Sequence, residues 1–244
     1  MKKYIVTGAT GQLGSAIVSK IIAQGGYVIG LDIQPVKEQQ DPNVFEHHNV
    51  DITKRDNVVD LFKKLKVRHN LIHGLVNNAG TAVFSKFEER TEKEISDVVQ
   101  LNMAAPIFMV QEFLGVAGKN FESSIVNIGS IYGVTAPDQG LYVDTPRNSS
   151  EIYGMTKAAV INLTQYLSVY LAGHKIRCNC VSPGGIRLSQ GPLFVDAYSR
   201  KVPLGRMGYE TEIANAVCFL LDESKASYVN GANLVVDGGF TAWR

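Results

Sequence analysis

Tyr153 and Lys157 stand four residues apart in Tyr153-Gly154-Met155-Thr156-Lys157, at the start of a helical pattern. Residues at i and i+4 share a helix face, so the phenol and the ammonium can address one reacting oxygen. A free tyrosine titrates near pH ~10, too high to trade protons near neutrality, and an adjacent cation favours the phenolate. Each pKa unit of lowering needs about 1.4 kcal/mol, which a close, partly buried charge can supply. The pair is a candidate general acid/base for a hydroxyl or carbonyl oxygen.

A second group sits near the start of the chain. Thr7-Gly8-Ala9-Thr10-Gly11-Gln12-Leu13-Gly14 directly follows the first apolar run and opens the first helical pattern. Glycines there permit a tight turn and let backbone N–H groups approach a pyrophosphate at the positive end of a helix. The spacing Gly8, Gly11, Gly14 is not the G-x-G-x-x-G of the standard dinucleotide fingerprint. Asp32 ends the second apolar run, 24 residues beyond Gly8, where a carboxylate can bond adenosine ribose hydroxyls. No Arg or Lys lies between Gly8 and Gly14, or beside Asp32, to pair a 2′-phosphate. Gly8, Thr10, Gly11, Gln12, Leu13, Asp32 and Ile33 are therefore candidate contacts to NAD(H), in preference to NADP(H).

The elements that must position these groups alternate along the chain. Tyr4–Thr7, Tyr27–Leu31, Leu71–Asn77, Ser124–Ile128, Ile176–Val181 and Asn233–Val236 read as strands, being brief, β-branched and bounded by Gly, Asp or Asn. Val44–Val50 is a weaker strand candidate, interrupted by Glu46, His47 and His48. Helical periodicity marks Leu13–Ala23, Val58–Leu65, Glu92–Gln100, Ala104–Ala117, Ile152–Leu171 and Glu212–Leu221. Such alternation implies right-handed crossovers and an α/β fold: a doubly wound, Rossmann-like parallel sheet of about seven strands, helices on both faces, in a single domain over 1–244. Two segments read as irregular: an insert at about 135–150, with Pro137, Gly140 and Pro146, and a loop at about 184–208, with Gly191, Pro192, Pro203 and Gly205. Long loops in compact domains usually carry function.

Composition narrows the partners. With 24 Lys+Arg against 23 Asp+Glu in 244 residues, the chain has no whole-molecule electrostatic footprint for nucleic acid or anionic membrane. No apolar stretch approaches the ~18 residues of a membrane span, and the basic start reaches Thr7-Gly8 too soon for a signal peptide. Cys178, Cys180 and Cys218 offer no disulfide framework and no Cys-x-x-Cys spacing, which fits a reducing cytoplasm. Cys178 and Cys180 share one strand face and read as buried apolar groups. His47 and His48 face opposite sides of a strand, so they form no metal site, and no other metal site is expected. Trp243 is free either to anchor a subunit contact or to cover the sheet.

Taken in order, these motifs resemble the short-chain dehydrogenase/reductase family over essentially the whole chain. The matches are the Thr7–Gly14 loop, Asp51 in Asn49-Val50-Asp51-Ile52, Asn77-Asn78-Ala79-Gly80, Asn102, Ser130, Tyr153 with Lys157, Pro183-Gly184, and Asn230-Gly231 with Asp237-Gly238-Gly239. The resemblance implies that Tyr153 is the general acid/base, that Ser130 holds the reacting oxygen, and that Lys157 lowers the Tyr153 pKa and bonds the nicotinamide ribose. It implies that Asn102 anchors a water of the proton relay. Asp51 and Ile52 are implied to bracket the adenine, with Asn78, Ala79, Gly80, Pro183, Gly184 and Ile186 as further cofactor contacts. A homodimer or homotetramer paired through the Ala104–Ala117 and Ile152–Leu171 helices is implied as well.

The sequence departs from the family in three places. The glycine spacing is that of the extended and atypical branches, whereas Asn77–Gly80 and Asp237-Gly238-Gly239 belong to the short branch. Ser130 precedes Tyr153 by 23 residues, about ten more than is usual in the short branch. Leu188 stands where the family usually has Thr, with Ser189 beside it as a substitute hydroxyl. The run Ser130-Ile131-Tyr132-Gly133 with Ala136-Pro137-Asp138 resembles a bacterial subgroup linked to flagellin and surface-glycan modification, which implies a sugar-phosphate or nucleotide-sugar substrate. Arg187, Arg200, Lys201 and Arg206 against Asp196 make the 184–208 loop cationic, and guanidinium suits phosphate. The expected activity is NAD-dependent interconversion of a secondary alcohol and a ketone. An epimerase or dehydratase that returns the hydride, and a non-catalytic cofactor sensor, are the alternatives.

Overall fold

Among the described residues of the computed structural model (1–36, 41–118, 123–142 and 147–243), seven parallel strands form one sheet. The strands are β1 (Lys3–Thr7), β2 (Tyr27–Asp32), β3 (Phe45–Asn49), β4 (Gly74–Asn77), β5 (Ser123–Ile128), β6 (Ile176–Pro183) and β7 (Asn233–Val236), in the order β3-β2-β1-β4-β5-β6-β7. Alternation along each strand divides the core. Ile5, Ile29, Leu75 and Ile125 face α2 (Arg55–Arg68), α4 (Ala105–Phe113) and α5 (Glu151–Tyr170), through Leu61, Phe62, Phe113 and Leu167. Val6, Val28, Val76 and Val126 face α1 (Gln12–Ala23) and α7 (Glu210–Leu221), through Ile17, Ile21, Val217 and Leu220. The central strands are apolar on both faces because both faces are covered. This is the doubly wound α/β sheet expected.

The weak strand candidate is the edge strand β3. Its Glu46 is paired there: the carboxylate accepts from Tyr27 Oη at 3.2 Å and His69 Nε2 at 2.9 Å, and pairs with Arg68 at 3.1 Å. Phe45 packs into the space left by Gly30.

Two expectations on regular structure need correction. The 184–208 segment is not all loop: Pro192–Ser199 is a helix, α6. Proline at the first helical position costs nothing, since that N–H has no intrahelical partner, so Gly191-Pro192 starts a helix instead of marking irregular chain. Nor does the chain break between Glu92–Gln100 and Ala104–Ala117. Helix α3 (Glu92–Val99) runs through a π-turn at Gln100–Ala104 into α4. Pro106 lacks the N–H that would serve a carbonyl one turn back, a standard cause of such widening. In the 135–150 insert, Gln139–Leu141 forms a single 3-10 turn, and residues 143–146, with Pro146, lie outside the described set.

Between β1 and β4 the strand order reverses, opening a crevice at the carboxyl ends of the strands, where ligands of such sheets bind. A third apolar cluster of Ile131, Leu141, Tyr198, Val202, Met207 and Phe240 caps the β5–β6 side of that edge. All three cysteines are free thiols and buried. Trp243 is 64% exposed and does not cover the sheet. No helix among the described residues is long and apolar enough to cross a membrane.

Candidate active site

The glycine loop is shaped by close packing. Gly8 has φ +65°, and a Cβ on it would lie 2.9 Å from Ala79 Cα, so only glycine lets β1 meet the turn after β4. A Cβ on Gly14 would lie 1.9 Å from the Gly8 carbonyl oxygen, so α1 is seated directly on the loop. Thr7 Oγ1 accepts from the backbone N–H groups of Asn78 and Ala79, both at 3.0 Å, and Asn78 Nδ2 donates to the Thr7 and Gly8 carbonyls. Asp32 accepts from the Thr10 and Gln34 backbone N–H groups, each at 3.0 Å. Burial pushes its carboxyl pKa up, but those N–H donors outweigh it and hold the group below its ordinary value.

A cleft of about 1190 Å³ opens on this loop and is lined by Gly8, Thr10, Gly11, Leu13, Asp32, Ile33, Asp51, Ile52, Asn78, Ala79 and Gly80. Eleven of the residues read as cofactor contacts thus meet on one surface. It has a glycine floor that side chains would fill, a helix N-terminus and an anionic residue at its far wall, which is the donor set a dinucleotide needs. Gln12 is the exception. Its Nε2 donates to the Arg187 carbonyl at 2.9 Å and approaches Glu210, so it ties α1 to the 184–208 segment and does not line this cleft. The Asp51 carboxylate accepts from Thr53 N and Oγ1, shaping its own turn while facing the cleft.

A contiguous cavity of about 340 Å³ shares Leu13, Asn78 and Gly80 with that cleft and adds Ser130, Tyr153, Lys157, Pro183, Gly184 and Ile186. Ser130 ends the turn after β5, its Oγ accepting from Tyr132 N at 3.1 Å. Ser150 caps α5 through Tyr153 N, and Arg90 grips Glu151 through two 3.2 Å contacts, fixing the end of α5 that carries Tyr153. Cβ atoms on Gly133 and Gly154 would strike Lys157 and Tyr132 backbone at 2.6 and 2.9 Å, so these glycines press α5 against the Ser130 turn. Lys157 Nζ donates to the Ile128 carbonyl at 2.8 Å, and burial brings its pKa down to about 8.

Lys157 and Tyr153 line the same cavity. Lys157 Nζ lies 5.7 Å from the Tyr153 ring centroid, and burial raises the phenol pKa above its ordinary value, offset in part by a hydrogen bond with Ser130. Burial disfavours the anionic form of the phenol. Asn102 is buried in the π-turn: its Nδ2 donates to Thr81 O and Thr156 Oγ1, and its Oδ1 accepts from Thr81 N. Its carboxamide and Lys157 Nζ flank Gly80, at 3.3 and 3.5 Å from where a Cβ would stand.

On the other side of Tyr153 lies a cavity of about 500 Å³, walled by both irregular segments. It is lined by Phe84, Tyr132, Tyr142, Arg147, Phe194 and Tyr198, together with Ser149, Ser189 and Gln190. Tyr198 Oη accepts from Gly185 N at 2.5 Å, and its ring fills the space beside Gly184 and Gly185. Burial, then Tyr142, raises the Tyr132 pKa. Of the described residues between Ser130 and Tyr153, Ile131, Tyr132, Tyr142, Arg147 and Ser149 line this cavity. Ser189 reaches the cavity, while Leu188 is 60% exposed.

The cations of the 184–208 segment do not line this cavity. Arg200 pairs with Asp196, Arg206 forks onto Glu212 at 2.7 and 2.9 Å, Lys201 pairs with Asp138, and Arg187 is exposed. Proximity in sequence suggested that they face the site; Asp196, Asp138 and Glu212 hold Arg200, Lys201 and Arg206 elsewhere. Arg147, Phe84, Tyr142 and Tyr198 were not legible in the sequence: the first three stand singly in irregular chain and carry no periodicity, and Tyr198 lies on α6, whose start at Gly191-Pro192 reads as a break.

A family profile described as enoyl-(acyl carrier protein) reductase matches residues 8–241. The NAD-dependent glycerol dehydrogenase of Listeria innocua is 30% identical over 253 residues, covering 98% of this chain and 94% of that protein. Post-translational flagellin modification protein A of Campylobacter coli is 29% identical, covering 98% of each. The crystal structure of a short-chain dehydrogenase from Leptospira borgpetersenii with bound NAD+ is 38% identical, with a TM-score of 0.91 over 98% of this chain and 92% of that one. With its strand order, its glycine loop and the Ser130, Tyr153 and Lys157 grouping, the chain belongs to the short-chain dehydrogenase/reductase family of oxidoreductases.

Proposed function

We propose that this protein is an NAD(H)-dependent oxidoreductase that interconverts a secondary alcohol and a ketone on a sugar phosphate or nucleotide sugar. One observation carries the reading: Tyr153 and Ser130 line both the cavity contiguous with the dinucleotide cleft and the aromatic cavity. Bound in the cleft, NAD(H) supplies the hydride acceptor or donor. Tyr153 gives or takes the proton of the reacting oxygen, and its raised pKa keeps the phenol protonated, ready to donate toward a ketone. Ser130 orients that oxygen. Lys157, largely protonated at neutrality, anchors the cofactor side and stabilises the phenolate as it forms. Asn102 positions Thr81 and Thr156 around Lys157.

Asp32, with no Arg or Lys beside it in the sequence, supports NAD(H), and the glycerol dehydrogenase relative is named for that cofactor. Exposed Ile107, Tyr166 and Val169 on α4 and α5, the last 79% exposed, support a homodimer or homotetramer built on those helices. The test pairs NADH fluorescence titration with turnover of keto-sugar phosphates. Tyr153→Phe is expected to keep NADH affinity and lose about 10²- to 10⁴-fold in kcat. Undiminished turnover in that variant, or no NADH binding by the parent protein, overturns the reading.

A further inference from the structure

We infer that Tyr198 is a positioning residue for hydride transfer, a role that rests on the NAD(H)-dependent reading above. From the substrate side, its hydroxyl fixes the backbone turn against which the nicotinamide must lie. A nicotinamide that trades hydride beside Tyr153 belongs in the cavity that Tyr153 and Lys157 line. Pro183, Gly184 and Ile186, in the turn that ends β6, line the same cavity. Slack in that turn is therefore slack in the place of the reacting ring, and a misplacement of about 1 Å can cost about 10²-fold in rate.

The turn is held through its backbone. Gly184 N donates to the Val236 carbonyl at 2.9 Å, and the Gly185 carbonyl accepts from Gly208 N at 2.9 Å. The Gly185 N–H turns instead to a side chain, donating to Tyr198 Oη at 2.5 Å. Tyr198 stands on α6 and is 2% exposed. Its ring stacks on Phe240, with centroids 4.9 Å apart and planes 13° apart, and on Phe194 at 6.0 Å. A ring packed in this way has little rotamer freedom, so the acceptor is preorganised before any ligand arrives. The paired glycines admit it: a Cβ on Gly185 would lie 2.6 Å from Tyr198 Cζ, and one on Gly184 3.3 Å from its Oη. Tyr198 also lines the aromatic cavity, so one residue of α6 both walls the substrate side and fixes the cofactor-side turn.

The test compares wild type with Tyr198→Phe, which keeps the ring stack and removes the acceptor. Two probes are titrated: NADH, and ADP-ribose, which carries the same adenosine and pyrophosphate without a nicotinamide. Tyr198→Phe is expected to bind NADH about 3- to 10-fold more weakly and ADP-ribose as wild type does. Amide hydrogen exchange in the free protein is expected to quicken at Gly185 by about 3- to 10-fold, with Gly184 little changed. With a keto-sugar phosphate, kcat is expected to fall about 10-fold while KM for that substrate stays within about 2-fold. A residue that only supported the fold would weaken both probes together. Unchanged NADH affinity, parallel losses for the two probes, or unaltered exchange at Gly185 overturns the inference. If wild type binds NADH but turns over no keto-sugar phosphate, the sugar reading fails alone, and the binding and exchange results still decide for or against Tyr198.

Discussion

Lys157 shows what the site costs at a single residue. An ammonium 5% exposed, with one hydrogen bond to the Ile128 carbonyl, is destabilised relative to water, and its pKa falls from 10.5 to about 8. A depressed lysine pKa means that the unfolded chain holds a proton more tightly than the fold. Its contribution to stability therefore improves as pH rises from about 8 toward 10.5 and is worst below 8. Lys157→Met is expected to raise the unfolding free energy at pH 7 by about 2 kcal/mol, net of the orphaned carbonyl, while removing most turnover. Urea unfolding beside an NADH assay checks both, and a less stable variant at pH 7 contradicts the account. Ser130, Tyr153 and Lys157 were legible because their types and spacings belong to a chemistry. The aromatic cavity was not, since single residues such as Tyr142 in a Pro- and Gly-containing segment have the same local sequence whether they face open water or a cavity.

At the scale of elements, the β1–α1 turn depends on the absence of one methyl group. Gly14→Ala must separate α1 from the Gly8 carbonyl and is expected to lower stability by about 1–3 kcal/mol and weaken NADH binding together. Gly173→Ala, where nothing lies within 4 Å, is the control and is expected to change stability by less than about 0.5 kcal/mol. Thermal melts and NADH titration of the two variants separate steric contact from a general intolerance of alanine. The sheet and its main helices were legible because buried strands and amphipathic helices impose periods of 2 and 3.6. Helix α6 and the π-turn were not: Pro192 signals a break and a helix start alike, and the widening near Pro106 leaves the apolar pattern intact. The side chain of Asn102 depends on that widened turn for its grip on Thr81 and Thr156.

For the whole molecule, alkaline stability follows from the buried thiols and phenols. Burial raises Cys178 and Cys180 above the ordinary thiol value, Cys218 to about 11 and Tyr4 to about 12. An acid whose folded pKa is raised contributes stability below its unfolded pKa and loses it as pH climbs toward the folded value. Above pH ~9 the unfolding free energy is expected to fall by up to about 1.4 kcal/mol per pH unit for each thiol, outrunning the opposite trend from Lys157. Cys218→Ala should remove one such share between pH 9 and about 11, measured by urea unfolding under reductant at stepped pH. An unchanged slope refutes this assignment. Ser130, Tyr153, Pro183, Gly184 and Ile186 face both the cofactor-side cavity and the aromatic one. Two chambers that share a wall make their occupants thermodynamic neighbours, and linkage requires any effect of one on the affinity of the other to be the same in both directions.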